Sequence, residues 1–403
     1  MRRLIITCIV ILFLSLNLNA QDGTKWRGPN SNGVYNETGL LKEWPEGGPA
    51  IAWHYDNLGK GYSSPVIAGN KIYVSGMIGS DGYIFCLTLH GELLWKKMYG
   101  KEWTENYPGS RTSPNIVNGM LYIFSGQMVV VCMDADNGEI KWKSDLVKDY
   151  GARNLSWGAT ENLVIHEDKV ICTPGGSKHN VIALDRLTGM LKWTCTGKGE
   201  KSAYNSPLLV KLTNRNIFIT MTENNILGID ADNGKFLWSY GHTNAYSVHA
   251  NTPIYHDGSI YCFSGYGRGG VKLRLLDDGS KIRNEWINRT MDSRMGGAVL
   301  VDGLIFGSGD YNRQWQCIDW ETGKQKYTST AVGKGVSVYA DGLIYCYSDR
   351  GEIAILKPGS NAFTLQGKGK VTYGSEQHWA HPVIHDDRLY VRHGKSLIAY
   401  VIK

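Results

Sequence analysis

The chain has no CxxC, no CxxCH and no adjacent pair of cysteines, which excludes covalent haem attachment. Beyond Ala20 seven cysteines remain (Cys86, Cys132, Cys172, Cys195, Cys262, Cys317 and Cys346), and an odd number argues against a complete disulfide framework. Six of the seven sit in apolar runs such as YIFC, VVVC and LIYC, where a free thiol behaves as a small buried hydrophobe. Charge is scarce as well, at 20% of residues, and no Lys/Arg run with interleaved aromatics occurs, so no nucleic-acid partner is expected. The net charge of +6 falls to about +4 once Arg2 and Arg3 are set aside, which is weak attraction for a polyanion. There is no Ser-His-Asp motif, nucleophile elbow or P-loop. The glycine-rich GYGRGG at 265–270 lies in a strand connection rather than before a helix, so it is not a dinucleotide site. No Pro-rich or low-complexity linker divides the 403 residues, which points to one large modular domain.

What is present begins with a basic start, an apolar stretch from Leu4 to about Leu18 and a small residue at Ala20. This predicts a cleaved secretory signal over 1–20 and an exported, periplasmic or secreted protein. The apolar run is short for a spanning helix, so no membrane span is expected once the signal is removed. A lead-in of 21–49 follows, and 50–403 reads as one domain.

That domain is a repeat with a period in the forties. One half-unit is strand, tight turn, strand: SSPVIAGNKIYVSG from Ser63, TSPNIVNGMLYIFSG from Thr112, NTPIYHDGSIYCFSG from Asn251, and further copies from Gly296, Gly335 and Ala380, with weaker ones near Glu161 and Ser206. The other half-unit carries an acidic-Gly turn leading to an aromatic, as in MDADNGEIKW ending at Trp142, ALDRLTGMLKW at Trp193 and GIDADNGKFLW at Trp238. Asp side chains bond nearby amides, and Gly supplies the positive φ that a tight reversal needs. Four short strands per unit in eight copies predict an all-β, eight-bladed propeller of four-stranded antiparallel blades. The last unit has only three strands, so AIAWHYD around Trp53 is predicted to close it from the N-terminal side. Trimming past about Ala50 should then be damaging.

The turn-plus-Trp signature resembles the repeat of the pyrroloquinoline quinone (PQQ)-like eight-bladed propellers of exported bacterial proteins, from about Gly48 to Lys403. The resemblance implies that Trp53, Trp95, Trp142, Trp193, Trp238 and Trp286 dock each blade against its neighbour. It also implies looser blades where Tyr327 replaces Trp and where Phe363 is the sole stand-in. The motif WRGPNSNG at 26–33 is similar to the lead-in of such proteins.

Short uniform turns on one propeller face suit structure, and irregular loops on the other suit binding. Aligned on the prolines that precede the inner strands, those irregular loops place Tyr62, Arg111, Tyr204, Lys334 and Trp379 at one offset, with Trp157, His249, Arg294 and His378 beside it. Loops within the blades add Arg268, Asp310, Tyr311, Arg313 and others to the same face. We expect a ligand site formed by Tyr62, Arg111, Trp157, Tyr204, Asn205, Asn251, Arg294, Lys334 and Trp379. Aromatic faces stack on sugar rings and guanidinium groups grip carboxylate or sulfate, so an acidic glycan is the expected ligand. A periplasmic protein partner, in a scaffolding role, is the other binding expectation. Were the site catalytic, His249, His378 and Glu376 would be the acid/base candidates of a carbohydrate lyase or hydrolase. The resemblance also implies PQQ-dependent dehydrogenases. Those stack the cofactor between a Trp and a vicinal disulfide over calcium. Here the vicinal cysteines are missing and no spacing singles out a metal set, although Trp157 or Trp379 could stack and Glu161, Asn162 or Glu376 could donate oxygens. No cofactor and no metal are therefore expected to be required.

Overall fold

The computed structural model describes residues 25–403, so the expected signal over 1–20 lies outside the described residues. Antiparallel sheets of four consecutive strands span 66–101, 115–145, 164–195, 208–241, 254–288, 299–329 and 335–370, making blades one to seven. The eighth joins Val383–His385, Arg388–His393 and Ser396–Val401 to Ile51–Tyr55, with Trp53 opposite Ala399 and Tyr55 opposite Leu397. The ring thus closes on the strand around Trp53, as its unpaired sequence predicts. Among the described residues one short α-helix, Leu146–Tyr150, interrupts the strands, and no helix is long and apolar enough to cross a membrane.

Local chemistry explains the blade. Second strands such as Ser259–Ser264 are buried at every position, because neighbouring blades cover both faces and near-continuous apolar sequence is required there. Outer strands such as Leu191–Cys195 alternate toward solvent. The acidic-Gly turns form as read: Asp134 Oδ1 accepts from the amides of Asp136 and Asn137 at 2.9 and 3.2 Å, and Gly138 takes φ +73°. All seven described cysteines are free and buried.

Each docking aromatic sits beside a bulge in its outer strand and reaches the next blade. The indole nitrogens of Trp53, Trp142, Trp193, Trp238 and Trp286 donate to the carbonyls of Leu89, Arg186, Ala231, Gly279 and Trp320 at 2.9–3.2 Å. Tyr327 keeps the same kind of contact, its hydroxyl donating to Gly359 O at 2.7 Å. Turn glycines lie flat beneath the rings. A Cβ on Gly189 (φ +74°) would stand 2.7 Å from the Trp142 ring, whereas Gly119 (φ +73°) has open space around it. Gly189→Ala and Gly119→Ala share the backbone strain, so the docking contact alone separates them. Gly189→Ala is expected to be about 1–2 kcal/mol the more destabilised in urea titration.

In blade seven the residue at the docking position is Gly367, opposite Ile355 beside the bulge. Phe363 does not stand in for it: that ring faces Pro358 across the ladder and packs edge-on against Tyr327 at 4.9 Å. The missing indole comes instead from the lead-in. Trp44, buried, lies over Gly367, where an added Cβ would meet Trp44 Cβ at 2.4 Å, and the Trp44 amide donates to Gln366 O at 2.9 Å.

The lead-in is a structural part of the ring from Trp26 onward, well upstream of the Ala50 limit that sequence suggests. Val34–Tyr35 adds in parallel to Gly335–Ala340, the inner strand of blade seven. The chain then crosses under the ring, where Leu40 N donates to Asp341 Oδ2 at 2.8 Å and Leu41 N to Ile402 O at 2.7 Å, and runs outward past Trp44 to the closing strand. Tyr35, Leu40 and Trp44 join one buried cluster with blades seven, eight and one.

Candidate functional site

The loops that lead into the inner strands surround an axial cavity of about 320 Å³. Of the nine residues expected to bind ligand, Tyr62, Arg111, Trp157, Tyr204, Arg294 and Trp379 line it. The other three lie behind the wall. Asn205 is buried against Thr220, Asn251 donates to the carbonyls of Phe263 and Ser293 at 2.8 and 2.9 Å, and Lys334 is ion-paired to Asp310.

The cavity floor is a belt of hydrogen bonds between successive inner strands. Ser64 N donates to Ser113 Oγ at 3.0 Å, Ser113 N to Asn162 Oδ1 at 2.7 Å, and Asn162 Nδ2 to Ser206 Oγ at 2.8 Å. Ser64 Oγ donates to His381 O at 2.8 Å. The buried Arg27 completes the belt, donating to Ala298 O at 2.6 Å and to His381 Nδ1 at 2.9 Å. His381 Nε2 in turn donates to Met295 O at 3.1 Å, so this imidazole is the neutral tautomer. Burial, and then the neighbouring Arg27 charge, hold its pKa down to about 3. Trp26 forms part of the lining, its ring 4.8 Å from that of His381. WRGPNSNG is thereby explained: its first two residues cap the axial channel from within.

Aromatic rings make up the sides. Trp379 lies 5.0 Å from Tyr62 and 4.9 Å from Tyr107, Trp157 lies 5.9 Å from Tyr204, and Tyr266 completes the wall. Arg111 stands 5.6 Å over the Tyr62 ring and is gripped by backbone carbonyls alone, those of Trp157 at 2.8 Å, Asn106 at 3.0 Å and Tyr107 at 2.7 Å. No carboxylate lies within ion-pairing distance of it, and burial pulls its pKa down. Arg294 shares Asp310 with Lys334, at 3.7 Å from Oδ1, so two cations divide one anion. The lining contains no Asp or Glu at all.

The proposed acid/base trio does not assemble. His249 is fully buried, with Nδ1 2.7 Å from Ser264 Oγ and Nε2 3.3 Å from Glu223 O. His378 is held by Tyr347 OH at 2.6 Å and stacks on His393 at 3.8 Å. The two share no partner, and burial lowers both pKa values to about 4. Glu376 lies at the rim, 3.8 Å from Lys60.

Nor do the residues fit a calcium-bound quinone. Glu161 turns away from the cavity to accept from Thr173 N at 3.0 Å, and burial raises its pKa to about 8, so it is protonated at neutral pH. Asn162 is occupied in the belt, and no disulfide occurs among the described residues. The two described places where three His or carboxylate donors come within 4.8 Å, Glu37–His385–Asp386 and His166–Glu167–Asp232, lie at the short turns and not in the cavity.

Sequence reading missed Trp26, Tyr107, Tyr266 and His381 as lining residues. Tyr107 and Trp26 lie outside the repeat register, and Tyr266 sits inside GYGRGG, whose glycines let loops pack. A Cβ on Gly265 would stand 2.7 Å from Arg294 Cβ.

Comparison with known proteins agrees with this architecture. Residues 80–329 match the sequence profile described as "Outer membrane protein assembly factor BamB". The protein of that name from Kangiella koreensis is 23% identical over 223 residues, 53% of this chain and 52% of the relative, so the match spans about half the relative's length. Among solved structures, BamB from Moraxella catarrhalis superposes with a TM-score of 0.62 at 15% identity, over 85% of this chain and 94% of that one. A europium-containing methanol dehydrogenase superposes at 0.68 and 14% identity, over 92% and 90%. At these identities the superpositions establish the fold. The ring of blades, the inter-blade docking and the match over more than half the chain together make this chain a member of the PQQ-like β-propeller family.

Proposed function

We propose that the protein is an exported binding protein that holds an anionic sugar or short acidic glycan in the axial cavity, without a metal or quinone. The observation that carries this reading is a lining with two arginines, several aromatic rings and no carboxylate. Arg111 is anchored so that its charge is oriented but not neutralised. A guanidinium in such a half-desolvated wall gains more from a carboxylate or sulfate than it would in water. The rings meanwhile offer flat faces to a pyranose. Binding ranks ahead of catalysis, because the imidazoles that would act as acid or base, the buried His249 and the half-buried His378, are neutral and held apart.

The test is calorimetric titration with di- and trigalacturonate. Wild type is expected to bind, and Arg111→Ala with Arg294→Ala is expected to lose about a hundredfold or more in affinity. Undiminished binding in the double variant would remove the reading.

A second reading, a scaffold for envelope proteins, is favoured by the profile match to an outer membrane protein assembly factor. A stable one-to-one complex with a defined outer-membrane assembly protein, unaffected by the two arginine changes, would support it over sugar binding.

A further inference from the structure

From the cavity wall outward, three tyrosines line the rim over blades four to six. Tyr266, in the cavity wall, lies 4.6 Å from Tyr246, which is 56% exposed. Tyr311, 68% exposed, covers Gly267, where an added Cβ would stand 3.1 Å from its ring. A contiguous patch of exposed aromatic surface, unlike a single exposed ring, marks an interaction site, and these three are held in place. The buried Asp292 carboxylate accepts from Gly267 N at 2.9 Å and from Asp310 N at 2.8 Å, and also from Tyr311 N, clamping the Tyr266 and Tyr311 loops to each other. Asn244 fixes the third loop, donating to Val248 O at 2.6 Å and accepting from Tyr246 N at 3.0 Å.

Cations accompany the rings. Arg294 stands 5.8 Å over Tyr266, Arg268 follows two residues after Tyr266 with a buried Nε that has no partner, and Arg313 is exposed two residues after Tyr311. The rim therefore repeats the cavity's chemistry, fixed tyrosine faces beside guanidinium groups, and is continuous with it through Tyr266 and Arg294.

We propose that Tyr246, Tyr266 and Tyr311 form an extension of the binding site, so that the ligand class is an acidic oligosaccharide chain whose first two units occupy the cavity and whose following units leave over blades five and six. The proposal rests on the sugar-binding reading and adds to it the length and exit path of the ligand.

Titration with galacturonate oligomers of one to six units tests it, comparing wild type with Tyr246→Ala/Tyr311→Ala. Both changed residues are exposed and lie outside the cavity lining, and an unchanged Tm would confirm folding. Wild-type affinity is expected to rise about tenfold from the dimer to the tetramer or hexamer. The double variant should bind the dimer like wild type and lose most of that gain. Affinity that does not grow with length, or growth that survives the double substitution, overturns the extension while leaving the cavity reading intact. Absence of binding at every length overturns both.

Discussion

A chain that begins at Ala50 retains all four strands of every blade and is nevertheless expected to lose most of its stability. Without the lead-in, the Tyr35, Leu40 and Trp44 side chains leave a shared cluster in which each is at most 7% exposed. At about 1.5–3 kcal/mol for each large apolar side chain, the loss is about 5–9 kcal/mol, comparable to the whole stability of many domains. Removing Arg27 also strips donors from buried carbonyls at the ring centre, which adds to the cost. The single change Trp44→Ala isolates the borrowed indole. It uncovers Gly367 and leaves a cavity, at an expected cost of about 3–5 kcal/mol. Urea unfolding of both variants is the measurement. A truncated chain with a wild-type midpoint would show that the clasp merely decorates a ring already stable by itself.

The second large effect is a stability optimum near pH 6.5. Burial lowers the pKa of His242 to about 2, of His249 to about 4 and of His381 to about 3, and all three are at most 4% exposed. The unfolded chain therefore takes up protons from pH 6.5 downward that the folded chain refuses, and stability falls as pH drops through that range. Glu102 and Glu161 act in the opposite sense. Burial raises them to about 7 and about 8, so stability contributed by their neutral forms is lost as pH rises from about 4.5 through those values.

Between pH 6.5 and 4.5 these three imidazoles and the half-buried His378, also lowered to about 4, work against two carboxyls, leaving up to two protons and a slope of at most about 2.7 kcal/mol per pH unit. Below about pH 4.5 the carboxyls fall silent and the slope steepens to about 3–4 kcal/mol per unit. Above pH 6.5 only the carboxyl limb operates, and Glu161→Gln should flatten it. Urea midpoints from pH 4 to 9 test this, and a stability that climbs steadily down to pH 4.5 would refute it.

The architecture was legible because its signals are local. Short apolar strands, Asp-to-Gly turns and an aromatic at all the docking bulges but that of blade seven repeat along the chain, and a three-stranded last unit requires a fourth strand from elsewhere. The strand around Trp53 could be assigned because it repeats the same Trp pattern. Trp44 could not, since it replaces a residue that blade seven lacks, and its partner Gly367 lies over three hundred residues away. The same limit separates the site residues found from those missed. Tyr62, Arg111, Tyr204 and Trp379 share an offset from the inner strands, so alignment of the repeat reveals them. Lys334 shares that offset too, but Asp310 from the neighbouring loop captures its ammonium group. His249 and His378 looked like a reactive pair only while their buried partners, Ser264 and Tyr347, were unknown.

The noncovalent closure also fixes an order of events in time. The strand around Trp53 is made over three hundred residues ahead of its sole ladder partner, Ser396–Val401. At ordinary elongation rates of about 5–20 residues per second, the early strand waits roughly 20–70 s with an open edge. Throughout that interval it is a sticky end in search of a mate. A neighbouring nascent copy able to offer its own Ser396–Val401 strand would trap the pair as an interlocked dimer, and anything that shields the strand around Trp53 during synthesis would suppress that outcome.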